Sequence, residues 1–459
     1  MKTNFLIIAL LCICTFSNSQ EIEGSWIGEL DIQGMKLPVI FNIHKESDGY
    51  KTTMDSPKQG AKGIAVEKTI YQENELILDA TNLGVQYKGS FSNDSIKGTF
   101  TQGRMELPLN MARNVEENMF VLNRPQTPKA PFNYPTEEVS FENPIDKNML
   151  AGTICLPKDK KEFPILVMIT GSGSQNRNEE LFGHQPFAVI ADDFAKKGIA
   201  TLRMDDRGVG GSNKTTENPT TANFATDIDA AVEFLSQKGY KNIGLIGHSE
   251  GGMIAPMVAA SNKKVRFIIS MAGPGIKIEE LMLMQIEKAG LLAGENPEKV
   301  KLDVELSRKA FNLVKEYKGK ELSKEMESLY RTELNRYPSN LLDKNTVEDM
   351  VKAEAKSFTS PWFLYFLPFN PQDYLAKVKV PVLAINGSKD FQVDAKTNLE
   401  GFRATLKKAG NKNFEIIEFE GLNHLFQECN TGAFAEYSDI EQTISPTVLD
   451  AMSNWILKL

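Results

Sequence analysis

The residues with the clearest chemical potential are Gly247-His248-Ser249-Glu250-Gly251, which follow the apolar run Ile243–Ile246 and open the helical stretch Gly252–Ala260. A serine between a strand and a helix sits on a sharp elbow that presents its hydroxyl, and the flanking glycines avoid collisions that side chains would make there. The chemistry such a serine could do is nucleophilic attack on an acyl carbon, but a hydroxyl is a weak nucleophile and needs a base. Of four histidines, His44 lies in an alternating strand segment, His184 precedes the serine, and His248 is the variable position of the elbow itself. In strand–elbow–helix sites an acid and then a histidine follow the serine along the chain, which leaves His424, in Gly421-Leu-Asn-His424 just past the strand-like Phe414–Phe419. The acid that would orient its imidazole is Asp390, at the end of the strand-like Val380–Asn386, with Asp394 as the competitor.

The developing oxyanion would need backbone donors, one from Glu250, after the nucleophile, and one from the glycine-rich loop Thr170-Gly171-Ser172-Gly173-Ser174, where Ser172 is the favoured N–H. A phosphate-cradling loop is the rival reading, but no Gly-Lys-Ser/Thr follows.

These residues need a scaffold whose strands end together. From residue 138 on, apolar strand-like runs (Ile165–Thr170, Ile199–Met204, Ile243–Ile246, Val265–Ala272) alternate with amphipathic stretches at His184–Lys197 and Ala222–Lys238, the pattern of a mostly parallel sheet covered on both faces. The alternation stops over 275–377, where only helical patterns occur, an insertion on the carboxyl side of the sheet that would form a lid. Its aromatic cluster, Trp362 to Phe369, could be lid core or the apolar wall of an acyl pocket, and Met282 and Met284 read as packing. Upstream, about eight short alternating segments between Ser25 and Met111, one of them Gly63–Ile70, predict a small all-β barrel or sandwich over 20–123. Residues 124–136, with a proline every few positions, read as an extended linker to the domain at 137–459.

Composition removes several classes of function. With 41% hydrophobic and 24% charged residues the chain is neither collagenous nor disordered, and 52 basic against 60 acidic residues with no basic run is the wrong electrostatics for a nucleic-acid binder. Phe5–Phe16, preceded by Lys2 and followed by Ser17-Asn18-Ser19, is too short to span a bilayer and has the basic, apolar and small-residue regions of a signal peptide cleaved after Ser19, so the protein is expected to be exported, with no stable membrane insertion. Ile13 stands before Cys14 where a lipid-anchoring signal would want a small residue. Only Cys155 and Cys429 remain after cleavage, too few for a disulfide scaffold.

Over about residues 138–459 the chain resembles the α/β-hydrolase superfamily, and within it the bacterial carboxylesterases and S33-like serine hydrolases that carry an N-terminal β domain. The resemblance rests on Ile169-Thr-Gly-Ser-Gly-Ser, Met204-Asp-Asp-Arg207-Gly-Val-Gly-Gly-Ser212, the Gly-His-Ser249-Glu-Gly-Gly elbow, Asn386-Gly-Ser-Lys-Asp390 and Gly421-Leu-Asn-His424, in that order. It implies an α/β-hydrolase fold with a helical lid, Asp205 and Arg207 as supports near the elbow, and no cofactor or metal. Thr170 departs from relatives that place histidine before the first glycine of the oxyanion loop. The expected function is an exported serine hydrolase that cleaves small-molecule carboxylic esters through an acyl-enzyme on Ser249. A peptidase or acyl-peptide hydrolase would use the same residues, and a silent binding protein on a hydrolase fold would carry them without turnover.

Overall fold

The computed structural model describes residues 22–32, 35–47, 49–59, 61–80, 84–102, 105–113, 122–158 and 160–459. The expected signal peptide, 1–19, lies outside them. The chain divides into two compact units, residues 1–121 and 122–459.

The first unit is a single antiparallel sheet of nine strands, β1 (Gly24–Ile32), β2 (Met35–Glu46), β3 (Gly49–Ser56), β4 (Ala61–Val66), β5 (Lys68–Gln72), β6 (Glu75–Ala80), β7 (Val85–Ser92), β8 (Ser95–Gln102) and β9 (Met105–Arg113), in the order β4-β3-β2-β1-β9-β8-β7-β6-β5. The edge strands β4 and β5 are joined in the chain through Glu67 alone, so the ends of the sheet meet and it is nearly closed; Thr69 on β5 donates its hydroxyl to Thr52 on β3 at 2.9 Å. Closure removes the exposed edges that invite aggregation. Period-two burial puts Val85, Tyr87 and Phe91 of β7 inside, with Trp26, Phe41 and Leu109 in the same core, and leaves Gln86, Lys88 and Ser90 outside. The segment read as one strand over Gly63–Ile70 is two: β4 pairs with β3 and β5 with β6, at opposite edges, so the chain must bend at Glu67 to pass between them.

The second unit holds an eight-stranded sheet: β10 (Thr136–Glu142), β11 (Met149–Cys155), β12 (Ile165–Ile169), β13 (Ala200–Met204), β14 (Ile243–His248), β15 (Val265–Met271), β16 (Val382–Gly387) and β17 (Phe414–Phe419), ordered β10-β11-β13-β12-β14-β15-β16-β17. The pairs from β13 to β17 are parallel, and the strand order reverses around β12, where ligand crevices open beyond the carboxyl ends of parallel strands. β12 and β14 are buried throughout because helices cover both faces. Ile165, Val167 and Ile169 pack toward α2 (Thr221–Gln237), α3 (Glu250–Ala259) and α10 (Ala395–Lys408), while Leu166 and Met168 pack toward α1 (Pro186–Lys197) and α11 (Pro446–Ile456). This is the α/β-hydrolase fold. Between β15 and β16 come α4 (Ile278–Leu292), α5 (Pro297–Glu316), α6 (Leu322–Leu334), α7 (Val347–Phe358), α8 (Pro361–Phe366) and α9 (Gln372–Leu375), whose core of Phe311, Met326, Tyr330, Val351 and Phe358 is largely their own.

The stretch read as a linker is tied to the second unit. Arg124 donates to the carbonyls of Phe182 and Ser438 at 2.8 Å each and of Ile440 at 3.0 Å, and Gln126 accepts the Thr443 N–H at 2.6 Å. Among the described residues, no helix is long and apolar enough to cross a membrane, and Cys155 and Cys429 are free thiols.

Candidate active site

Ser249 caps α3 with φ +53° and ψ −118°, a conformation that a non-glycine residue adopts only when its surroundings impose it. The close approach of β12, β14 and α3 imposes it. A Cβ on Gly247 would lie 2.0 Å from the carbonyl oxygen of Gly251, and one on Gly251 would lie 2.2 Å from that of Ile169, so neither position tolerates a side chain.

His424 and Asp390 are carried by the loops after β17 and β16, which are stitched together: Lys389 N–H donates to Leu422 O at 2.9 Å and Gly421 N–H to Ser388 Oγ at 2.8 Å. Asn423, fully buried, turns the histidine loop by accepting the N–H groups of Leu425 and Gln427 at 3.0 Å each. Nδ1 of His424 lies 2.7 Å from Asp390 Oδ2, with both side chains buried. The other oxygen of Asp390 accepts the N–H groups of Gln392 at 2.8 Å and Val393 at 2.9 Å, which fixes the carboxylate in the plane it needs. Asp394 faces elsewhere: it caps α10 by accepting the Thr397 N–H at 2.8 Å and pairs with Lys288.

Ser249 and His424 both line one cavity of about 590 Å³, together with Ser172 and Glu250. Gly171 lies so close to the elbow that a Cβ there would be 3.3 Å from Ser249 Cβ. Its N–H is committed to Glu179 Oε1 at 2.7 Å, whereas the N–H groups of Ser172 and Glu250 find no acceptor among the described residues. The structure therefore gathers Ser249, His424, Asp390, Ser172 and Glu250 at one place.

Beyond them one part of the cavity wall is apolar, with Leu281, Met282, Trp362, Phe366, Val393 and Leu425, while Gln175, Glu180, Gln285 and Gln392 line the rest with polar groups. The aromatic cluster of the lid is split by helical spacing: Trp362 and Phe366, stacked with centroids 4.5 Å apart, face the cavity, while Phe363 and Leu367 belong to the lid core. Met282, read as packing, lines the cavity too, together with its α4 neighbours Leu281 and Gln285.

Three acidic side chains hold the site from behind, Asp206 and Glu179, which sequence reasoning did not assign, and Glu250, which it read only as a backbone donor. Asp206 accepts the Thr170 hydroxyl at 2.9 Å and the Gln175 N–H at 2.8 Å, and so clamps both ends of the glycine-rich loop after β12. Its burial, reinforced by the charges of Asp227 and Glu179, pushes its carboxyl up to about 7. Glu250 accepts from Thr221 Oγ1 at 2.6 Å and from the lid's Trp362 Nε1 at 3.1 Å, and burial raises its carboxyl as well. Glu179 holds Gly171 and meets His248 Nδ1 at 3.0 Å. Asp205 and Arg207 act further out: Asp205 binds Arg177 at 2.7 Å, and buried Arg207 pairs with Asp146 and Asp227 at 2.7 Å each. Of the remaining histidines, His44 is exposed on β2, and His184 is buried against Thr443 and Tyr437 O, with its ring driven down to about 4 by burial and by Arg124. Among the described residues no group of three or more His, Cys, Asp or Glu side chains is arranged to hold a metal.

The profile of one family, serine aminopeptidase S33, matches residues 184–429. Esterase EstD of Thermotoga maritima is 25% identical over 330 residues, covering 71% of this chain and 69% of that protein. Among solved structures, the esterase Pf2001 of Pyrococcus furiosus is 15% identical with a TM-score of 0.43 over 71% of this chain and 93% of its own. The α/β hydrolase GrgF from Penicillium sp. sh18 is 19% identical with a TM-score of 0.41 over 71% of this chain and 98% of its own. The family match spans more than half of the chain and takes in Ser249, Asp390 and His424, and on that match the chain belongs to the S33 serine aminopeptidase family and is a hydrolase.

Proposed function

We propose that the protein is an exported serine esterase that opens small carboxylic esters through an acyl-enzyme on Ser249. The observation that carries this reading is one cavity lined both by a serine on a strained elbow and by a histidine whose other nitrogen is bonded to a buried aspartate. Ser249 Oγ attacks the ester carbonyl carbon as its proton passes to His424 Nε2, and Asp390, bonded to Nδ1, keeps the imidazole in the tautomer that can accept it. The negative charge that develops on the carbonyl oxygen is met by the N–H groups of Ser172 and Glu250. Collapse of the intermediate breaks the bond to the leaving alcohol, which takes the proton from His424. Water then adds to the acyl carbon, gives its proton to His424, and the acid departs as Ser249 regains its own.

Support for ester rather than amide comes from the esterase relative and from the apolar wall formed by Leu281, Met282, Trp362 and Phe366, which suits an acyl chain. The basic, apolar and small-residue pattern of residues 1–19 supports export, with a mature chain starting at Gln20. A fluorophosphonate probe should label the native protein and not Ser249→Ala, and p-nitrophenyl esters should be turned over in preference to aminoacyl p-nitroanilides. Labelling that survives Ser249→Ala would remove the serine from its role, and faster turnover of the anilides would make the protein a peptidase.

A further inference from the structure

A second histidine–carboxylate pair lies directly behind the first. His248 is buried, with Nδ1 3.0 Å from Glu179 Oε1 and Nε2 3.0 Å from the backbone carbonyl of His424. A neutral imidazole has one donor and one acceptor nitrogen, whereas an imidazolium has two donors. Here one nitrogen faces a carbonyl, which can only accept, and the other faces a carboxyl oxygen that already accepts the Gly171 N–H at 2.7 Å. An oxygen that takes a backbone N–H is placed as an acceptor, so both nitrogens of His248 face acceptors and the arrangement fits a cation on that ring. Glu179 reaches this position at φ +53°, in the left-handed region that a residue with a side chain seldom occupies, so backbone strain accompanies the contact.

We propose that Glu179 and His248 form an ionised pair that positions the two halves of the active site relative to each other. The hydrogen bonds run in one chain, from Gly171 N–H to Glu179, from His248 to Glu179, and from His248 to the carbonyl of His424. Gly171 precedes the Ser172 donor, and His424 carries the base, so the chain sets the distance between the oxyanion loop and the imidazole. The other titratable groups facing His248 are His424, its ring 4.8 Å away, and Asp390 beyond it. Burial alone would push the His248 ring down, yet Glu179, the His424 carbonyl and Asp390 together hold it above its ordinary value.

The inference rests on the esterase reading for its effect on turnover, but the charge state can be measured without any substrate. In full-length protein labelled with ¹⁵N-histidine, ring-nitrogen NMR at pH 8 should show one histidine with both nitrogens protonated, and that signal should vanish in Glu179→Gln. In Glu179→Gln the amide oxygen at the Oε1 position can still accept from Gly171 and from the Nδ1–H of a neutral ring, which leaves only Nε2 unmatched against the His424 carbonyl, so kcat should stay within about tenfold of native. Glu179→Ala, which leaves both partners unmatched, should lower kcat by about 10²-fold with little change in KM, the scale expected when reacting groups are displaced by an ångström or a donor is lost. Native protein with no imidazolium signal at pH 8, or a signal unchanged in Glu179→Gln, would overturn the proposal, as would Glu179→Ala with native kcat. Should Glu179→Ala not fold, the spectra of native protein and Glu179→Gln decide alone. Absence of ester turnover in native protein would sink the esterase reading and leave the imidazolium signal to judge the pair.

Discussion

Replacing Asp390 by asparagine tests the site at the level of one proton. Asp390 Oδ1 accepts two backbone N–H groups, from Gln392 at 2.8 Å and Val393 at 2.9 Å, and Oδ2 faces His424 Nδ1 at 2.7 Å. In Asp390→Asn the amide oxygen stays on the two N–H donors, so the NH₂ group must point at Nδ1. Nδ1 then has to be the acceptor, the ring proton moves to Nε2, and the atom that should take the Ser249 proton is already occupied. Turning the amide over restores the working tautomer but leaves both backbone donors facing an NH₂ group, at about 1–3 kcal/mol each. The working arrangement is then disfavoured by about 2–6 kcal/mol, so kcat should fall by about 30-fold to 10⁴-fold with KM little changed. Asp394→Asn is the control, because asparagine caps the Thr397 N–H as well as aspartate does, and its turnover should stay within a few fold. Initial rates over a range of p-nitrophenyl acetate concentrations, with thermal melts to establish folding, read both variants. A folded Asp390→Asn protein within tenfold of native, or an equal loss in Asp394→Asn, would refute the reasoning.

Two further outcomes follow from the same contacts. Asp206, held at about 7 in the fold against an ordinary 3.8, contributes stability as a neutral group that is complete below about pH 4 and lost as pH rises through about 7, a difference of ~4 kcal/mol. In urea melts the stability of Asp206→Asn relative to native should therefore grow by that order between pH 4 and pH 8, and a constant difference would contradict it. A chain cut before Leu122, at the boundary between the two units, should fold and hydrolyse a small ester within a few fold of the full chain. A cut at residue 130 should instead lower the melting temperature by removing Arg124 and Gln126 from their carbonyl and N–H partners, and equal stability of the two truncations would count against that account.

What could be read from the sequence was whatever local pattern determines. Buried parallel strands appear as apolar runs, the elbow needs its glycines, and Ser249, Asp390 and His424 each follow a strand whose carboxyl end faces the same crevice. What could not be read depends on contacts between segments far apart in the chain. Glu179 has no pattern around it, and its role appears only when the loop after β12 meets His248, 69 residues on. His248 looks like a free position of the elbow because its partners come from two other loops. Asp206 lies between the better-marked Asp205 and Arg207, and only the fold reveals that the middle residue is the one aimed at Thr170 and Gln175. The bend at Glu67 escaped because strand period continues on both sides of it, and only pairing with opposite edges of the sheet separates β4 from β5.

The acidic support of the oxyanion loop poses an electrostatic problem that the structure answers in three ways. A carboxylate held in a dry interior repels any negative charge nearby far more than it would in water, and the reaction proposed here builds such a charge beside Ser172 and Glu250. Acidic side chains are nevertheless useful there, because backbone N–H and hydroxyl groups of a tight loop need strong acceptors to fix them. Asp206 resolves the conflict by burial beside Asp227 and Glu179, which favours its neutral form up to about pH 7 while it keeps its hold on Thr170 and Gln175. Glu250 is likewise pushed toward its neutral form by burial, and its bonds to Thr221 and Trp362 anchor the elbow to α2 and the lid. Glu179 alone accepts a loop N–H next to the nucleophile, and it is the one matched by a cation, His248. Asp206 and Glu179 thus grip the loop and Glu250 the elbow, each with its charge opposed by burial or by a facing imidazolium, and the donors that face the cavity are held in place for the charge formed in the proposed reaction.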